Sequence, residues 1–366
     1  MKKRVGILFG GKSVEHEVSI QSARNVFEAI DKSKYEVVLI GIDKAGRWIV
    51  GDPARLRAAT SPTAELPAGG GGAALAFAPG ESGGAVTESG TSRRLPPIDV
   101  AIPLLHGTYG EDGTVQGFLK LAGIPFVGPG VLGSAVGMDK DVAKRLLRDS
   151  GIPVARFVTL NRRTAAESGF AALAAELGEP FFVKPANSGS SVGGSKVRNA
   201  AEWERARDEA LRYDSKLIAE EFVRGREIEV AVLGNEDPIA SVPGEIVPSH
   251  DFYSYEAKYL DENGAALRIP APLPPAVAEE VRRLAVRTFL ALECAGLARV
   301  DFFVTAEGRI LVNEINTIPG FTKVSMYPKL WEATGIPYGE LIERLIGLAI
   351  ERHAAEQLIE TSFRPA

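Results

Sequence analysis

Residues 299–320 read RVDFFVTAEGRILVNEINTIPG, in which two apolar runs, 300–304 and 310–315, flank the turn dipeptide Glu307-Gly308. The spacing predicts a β-hairpin. Side chains on a strand alternate between its faces, so Arg299 and Asp301 share one face of the first strand, and Glu314 and Asn316 one face of the second. A register that aligns those faces gathers all four polar groups. Two carboxylates and a carboxamide are hard oxygen donors suited to Mg²⁺, which takes its remaining ligands from water and substrate phosphates. An arginine beside them suits a developing oxyanion. The same residues on a solvated hairpin face would be ordinary charges, but the apolar partners predict burial, where carboxylates without a counter-cation are costly.

Along the rest of the chain, residues 5–9 predict a buried strand that runs through Gly10-Gly11 into a helix from about Val18 to Ile30, a β-loop-α opening. Glu15 sits at the loop where ligands bind in open α/β sheets, although an acid near a helix start is also favoured by the dipole. His16 is expected at the surface. The loop has neither G-x-G-x-x-G nor the Walker spacing, so neither a dinucleotide nor a P-loop is supported. A second strand is predicted over 35–42 and an edge strand over 47–50. Residues 60–96 turn rich in Gly, Ala, Pro and Ser without a sustained period, which predicts a mobile surface insertion. A strand over 98–105 delivers HGTYGEDGTVQG, whose glycines permit close backbone approach and whose His106, Glu111 and Asp112 can orient a ligand. A helix from Gln116 and a short strand over 124–127 close an α/β unit near residue 130.

Asp139 reads as the N-cap of a helix that ends before Gly151 and Pro153, with Lys140 in its first turn, where a cation opposes the dipole unless a phosphate sits there. The strand 181–184 ends in Lys184 and leads into PANSGSSVGGS, a donor-rich loop able to cover phosphates; a plain hairpin turn is the alternative. Residues 217–223 predict a strand ending in the acidic group Glu220, Glu221, Glu227 and Glu229. Residues 250–259 are polar and aromatic, and read as a lid. Residues 274–292 place Val277, Val281, Leu284, Thr288 and Leu292 on one helical face, which is packing.

The chain has 366 residues, 45% of them hydrophobic and 24% charged, enough for two or three globular domains. A net charge of -5 argues against non-specific nucleic-acid binding. The single cysteine, Cys294, lies in the helical pattern and is expected as a small core residue. Basic residues precede the apolar run 5–9, but that run is too short for a signal segment, and no run approaches a membrane span. A cytoplasmic location is therefore expected.

The order of lysine strand, glycine-serine flap, acidic strand, lid and R-V-D…N-E-I-N-T-x-P-G resembles the ATP-grasp superfamily, and within it the D-alanine:D-alanine ligases. The resemblance covers essentially the whole chain, through GGKSVEHEVS, HGTYGEDGTVQG, GMDK, FVKPANSGSSVG, EEFVRGRE, YEAKY, ARVDFF and NEINTIPGFTKVSMYP. It implies an N-terminal open parallel α/β domain over 1–138, followed by an ATP-grasp fold, α+β in its C-terminal part, in two subdomains over 139–225 and 226–366.

What the resemblance implies for the site follows residue by residue. Lys140 and Lys184 would meet the ATP phosphates and Lys258 the transferred one, Glu220 and Glu227 would hold the adenine and ribose with Phe222 and Val223 beside the base, and Ser191 and Phe303 would also bind ATP. Asp301, Glu314 and Asn316 would hold two Mg²⁺ (or Mn²⁺) ions, Glu314 bridging both. Glu15 would bind the ammonium of the first D-alanine, tied through hydrogen bonds to Ser190 and Tyr259, with His106 also on the substrate side. Arg299 and the Gly320 N–H would form the oxyanion site, and Ser325 and Met326 would receive the second D-alanine. The implied reaction joins two D-alanines through an acyl phosphate at the expense of ATP, for peptidoglycan and the cell wall, in a homodimer. Two residues depart from the family's habit: Glu221 stands where lysine is frequent and Met326 where leucine is frequent. A D-alanine:D-lactate ligase or another ATP-grasp carboxylate-amine ligase is the nearest alternative, though the Tyr259 lid favours the dipeptide. An inactive nucleotide-binding regulator on the same fold would have lost Asp301, Glu314 or Arg299, and all three are present.

Overall fold

The structure, a computed structural model, describes residues 2–61, 66, 74–78, 85–88, 96–189, 192–248 and 265–360. The opening unit forms as its pattern predicts. Strand Lys3–Gly10 runs parallel to Tyr35–Ile42 on one side and to Val100–Leu104 on the other, with Trp48–Val50 antiparallel at the edge. These strands are apolar on both faces because both are covered. Helix His16–Ala29 and the C-terminal helix Tyr338–Glu356 pack on one face, helix Met326–Thr334 packs on strand Arg226–Gly234, and one core joins Val5, Ile7 and Phe9 with Tyr327, Trp331 and Leu345. Helix Thr114–Leu121 packs on the other face through Val115 and Leu119.

Local expectations fail here where distant contacts decide. His16 is fully buried, not exposed: its Nδ1 lies 2.6 Å from the Gly11 carbonyl and its Nε2 accepts from the Leu66 N–H at 3.3 Å. Within the stretch expected as an insertion without regular structure, Leu75–Ala78 and Ala85–Glu88 pair antiparallel, and Ala74 bridges to Ile49. Residues 124–127 form no strand of their own. Phe126 makes a single parallel bridge to Ala101, since Pro125 has no N–H to extend a ladder.

A second, wholly antiparallel sheet runs in the order Phe157–Asn161, Lys216–Glu221, Phe181–Pro185, Ser195–Val197. Its own core, around Phe181, Trp203 and Leu217, is closed by helices Phe170–Leu177 and Ala200–Tyr213. The glycine-serine loop therefore does join two paired strands. Asp139 caps helix Lys140–Asp149, accepting from the Asp141 and Val142 N–H groups, both at 3.1 Å.

The third sheet runs Ala265–Arg268, Gly244–Pro248, Arg226–Gly234, Gly296–Val304, Ile310–Asn316, with Ile239–Ala240 beside Arg226–Gly234. Helix Pro275–Ala291 buries Val281, Leu284 and Thr288 against it, the face its spacing predicts. Cys294 lies past the end of that helix instead of within it, yet is buried in the same core, where burial, helped by the Glu293 charge, pushes its thiol up. The lid expected over 250–259 lies outside the described residues.

Candidate active site

Residues from the second and third sheets, with loop and helix residues beside the opening sheet, line one cleft of about 1000 Å³, and every site residue implied by the resemblance that lies among the described residues is in its wall; Asp112 is not, its carboxylate accepting instead from the Tyr109 and Thr114 N–H groups. Ser190, Ser191, Lys258 and Tyr259 lie outside the described residues. The hairpin supplies the floor. Arg299 pairs with Asn316 and Asp301 with Glu314, the register the alternation requires, and Glu229 stands opposite Asp301 on the neighbouring strand. A shift after Asp301 leaves Asn313 as an extra residue, a bulge that lets both Asn313 and Glu314 reach the cleft.

On this floor the Arg299 guanidinium forks onto both Asp301 oxygens at 2.7 Å and lies 2.9 Å from Glu229. Burial works against its charge, but Asp301 and Glu229 hold it well above its usual range. Asn316 donates to Asp301 at 2.9 Å. Among the described residues no three His, Cys, Asp or Glu side chains cluster as a metal cage. Asp301, Glu314 and Asn316 form the smaller oxygen set that Mg²⁺ accepts when phosphates complete its shell, so the donors fit the ion.

Opposite stand the lysines. Glu220 lies 2.7 Å from Lys184 and 2.8 Å from Lys144. Burial raises the Glu220 carboxyl, but the two ammonium groups prevail and bring it down to about 2. Burial holds Lys144 below its usual range despite Glu220, whereas Glu220 and Glu314 outweigh burial at Lys184 and raise it. The Glu220 carboxylate is thus held between two lysines. Lys140 donates to the Ser188 carbonyl at 2.6 Å and lies 3.7 Å from Glu314. Phe222 carries the Lys196 ammonium 3.7 Å above its ring, and Glu227 pairs with Phe303 across two strands. Glu221, the departure from lysine, is held by Arg156 at 2.8 Å and Arg309 at 3.4 Å, which accounts for an acid there.

Glu15 closes the other end as the N-cap residue of helix His16–Ala29. A methyl group on Gly107, where φ is +72°, would lie 2.5 Å from its Oε2, and one on Gly189 2.9 Å, so a side chain at either position would push this carboxylate from its place. His106 is buried, with Nε2 3.0 Å from the Ser22 hydroxyl and Nδ1 donating to the Ile318 carbonyl at 2.9 Å. With both nitrogens engaged, it ties the loop that carries Gly320 to the first helix. Ser325 is the N-cap residue of helix Met326–Thr334, and its hydroxyl accepts from the Thr322 N–H at 3.1 Å. Gly320 faces it, so a free helix N-terminus opens beside the oxyanion candidate.

Glu111 lies 3.7 Å from His106. Burial, with Glu15 adding, raises the Glu111 carboxyl to about 7, and Glu111 in turn overcomes burial to raise His106. Both folded-state values exceed the ordinary 4.5 and 6.5, so the folded chain binds more protons. The associated stability is complete at low pH and is lost as pH rises through about 7. Melting temperatures measured from about pH 5 to about pH 8 should fall less steeply in Glu111→Gln than in the parent. Parallel profiles would contradict the coupling.

Family models then match both halves of the chain: "D-ala D-ala ligase N-terminus" over residues 4–129 and "D-ala D-ala ligase C-terminus" over 146–347. The chain belongs to the D-ala D-ala ligase family. The D-alanine--D-alanine ligase A of Chromobacterium violaceum is 53% identical over 361 residues, 99% of each chain. The solved D-alanine-D-alanine ligase of Coxiella burnetii superposes with a TM-score of 0.87 at 42% identity, over 98% of this chain and 96% of that one. The VanG D-Ala:D-Ser ligase of Enterococcus faecalis does so with a TM-score of 0.84 at 36% identity, over 95% of this chain and 100% of that one. The fold is accordingly that of the ATP-grasp ligases. Three residues have no role read from the sequence: Lys144, which reaches Glu220 from behind the cleft, and Asn313 and Glu229 in its wall. Lys144 follows Lys140 by one helical turn, and a like-charged pair at that spacing is itself a sign that an acid lies between.

Proposed function

We propose that this chain joins two D-alanines into D-alanyl-D-alanine, converting ATP to ADP and phosphate, as a step toward peptidoglycan. The observation that carries this reading is the alignment of Arg299, Asp301, Glu314 and Asn316 on one face of the hairpin, in the same cleft as Glu15, in a chain of this family. Asp301, Glu314 and Asn316 would hold Mg²⁺, two ions by the family resemblance. Bound there, the metal neutralises phosphate oxygens during transfer.

The chain's own residues do the rest. Glu15 binds the ammonium of the first D-alanine and directs its carboxylate to the γ-phosphate, where a C–O–P linkage forms as the bond to ADP breaks. Lys140 and Lys184 hold the phosphates. The second D-alanine, its carboxylate at the helix start by Ser325 and Met326, gives up an amine proton to solvent and attacks the acyl carbon. Arg299 and the Gly320 N–H receive the tetrahedral oxyanion, and the C–O bond to phosphate then breaks. The parts assigned to Ser190, Ser191, Lys258 and Tyr259 rest on the resemblance alone. Among the described residues no helix is long and apolar enough to cross a membrane, and a cytoplasmic homodimer belongs to the same proposal.

A coupled ADP-release assay tests the reading, with D-alanine as first substrate and D-alanine, D-serine, D-lactate or L-alanine as second. ADP should form with D-alanine in both places. Preference for D-serine or D-lactate would redirect the specificity, and no ADP with any acceptor would favour the regulator. Glu15→Gln should weaken the first D-alanine by about 1.5–3 kcal/mol, the range for a hydrogen bond to a charged group, with ATP affinity nearly unchanged. Initial-rate kinetics that separate the two subsites read this directly, and a loss confined to ATP would show Glu15 to have another role.

A further inference from the structure

Arg299 and Asp301 have two proposed tasks that conflict in the arrangement seen here. Both Asp301 oxygens bind the guanidinium at 2.7 Å, and Asn316, itself a proposed metal ligand, donates to one of them. A divalent ion on Asp301 would meet a guanidinium across the same two oxygens, and two cations at that separation repel. One must yield. Glu229 offers the arginine somewhere to stay: it comes from a different strand, stands directly opposite Asp301, is buried, and already lies 2.9 Å from Arg299.

We propose that Glu229 is a positioning residue that retains Arg299 when metal takes Asp301, keeping the guanidinium in the cleft for the oxyanion and out of the metal's way. The inference rests on reading Asp301 as a metal ligand. Glu229 touches no reacting atom in this account and acts through Arg299. Without its charge, Arg299 has Asp301 as its main anchor and competes with the ion for it. The cost should therefore appear in metal binding before any chemistry takes place.

Mn²⁺ binding to the full chain with a non-hydrolysable ATP analogue present to supply the phosphates, followed by electron paramagnetic resonance without D-alanine, gives a readout independent of turnover. Glu229→Gln should weaken Mn²⁺ about tenfold or more, the loss of the arginine's close buried counter-charge. In an Arg299→Met background there is no competitor, and the same change should alter Mn²⁺ affinity by no more than about twofold. Equal weakening in both backgrounds would mean that Glu229 acts only as a nearby negative charge, and no weakening in either would mean that it does not act on the metal; each overturns the proposal. Glu229→Val, β-branched and suited to a strand, serves the same comparison should the glutamine variant not fold. Asp301→Asn separates the two layers: if it binds Mn²⁺ as the parent does, the metal reading itself fails. If it loses Mn²⁺ while the Glu229 variants bind normally, the failure belongs to the Glu229 proposal alone.

Discussion

Glu314→Gln is expected to abolish ligation even at saturating Mg²⁺, a fall of about 10³-fold or more, because Lewis-acid stabilisation of transferring charge amounts to several kcal/mol. The substitution keeps size and shape and leaves the Asp301–Glu314 strand register intact. It removes the carboxylate that faces Lys140 at 3.7 Å and that the bulge at Asn313 turns into the cleft. Nucleotide should still bind through the lysines, though more weakly. Steady-state turnover across a Mg²⁺ titration checks this, and turnover near that of the parent at any concentration would remove Glu314 from the metal site.

The second large effect is expected at Arg299. Arg299→Met takes away the guanidinium held between Asp301 and Glu229, and with it a donor to the oxyanion, so kcat should fall about 10²–10³-fold. Mn²⁺ affinity should not fall, since the same change releases the Asp301 oxygens. A variant that turns over normally would place the oxyanion elsewhere. One that loses metal instead of turnover would make Arg299 a structural support for Asp301.

Much of this site is legible in the sequence because its key residues lie on regular strands. Alternation on two apolar runs suffices to bring Arg299, Asp301, Glu314 and Asn316 to one face, and the observed register is the one that alignment demands. The Asp139 cap and the antiparallel strands around the glycine-serine loop are local signals of the same kind. What the pattern does not carry depends on contacts between distant segments. Burial of His16 is set by Leu66 in a stretch without periodicity, and the capture of Glu220 by Lys144 and Lys184 joins two strands and a helix. Asn313 enters the cleft through a bulge, which breaks the very period used to read the strand. Position within a pattern predicts which way a side chain points, and the partner it meets there is settled by tertiary packing.

The central claim is that this cleft activates a carboxylate by phosphorylating it before an amine attacks. D-Alanine labelled with ¹⁸O in its carboxylate tests that most directly, with the released phosphate analysed by mass spectrometry after turnover with ATP. The account predicts one labelled oxygen carried into each phosphate, the atom that bridged carbon and phosphorus. Phosphate free of label, with dipeptide formed at the normal rate, would contradict it.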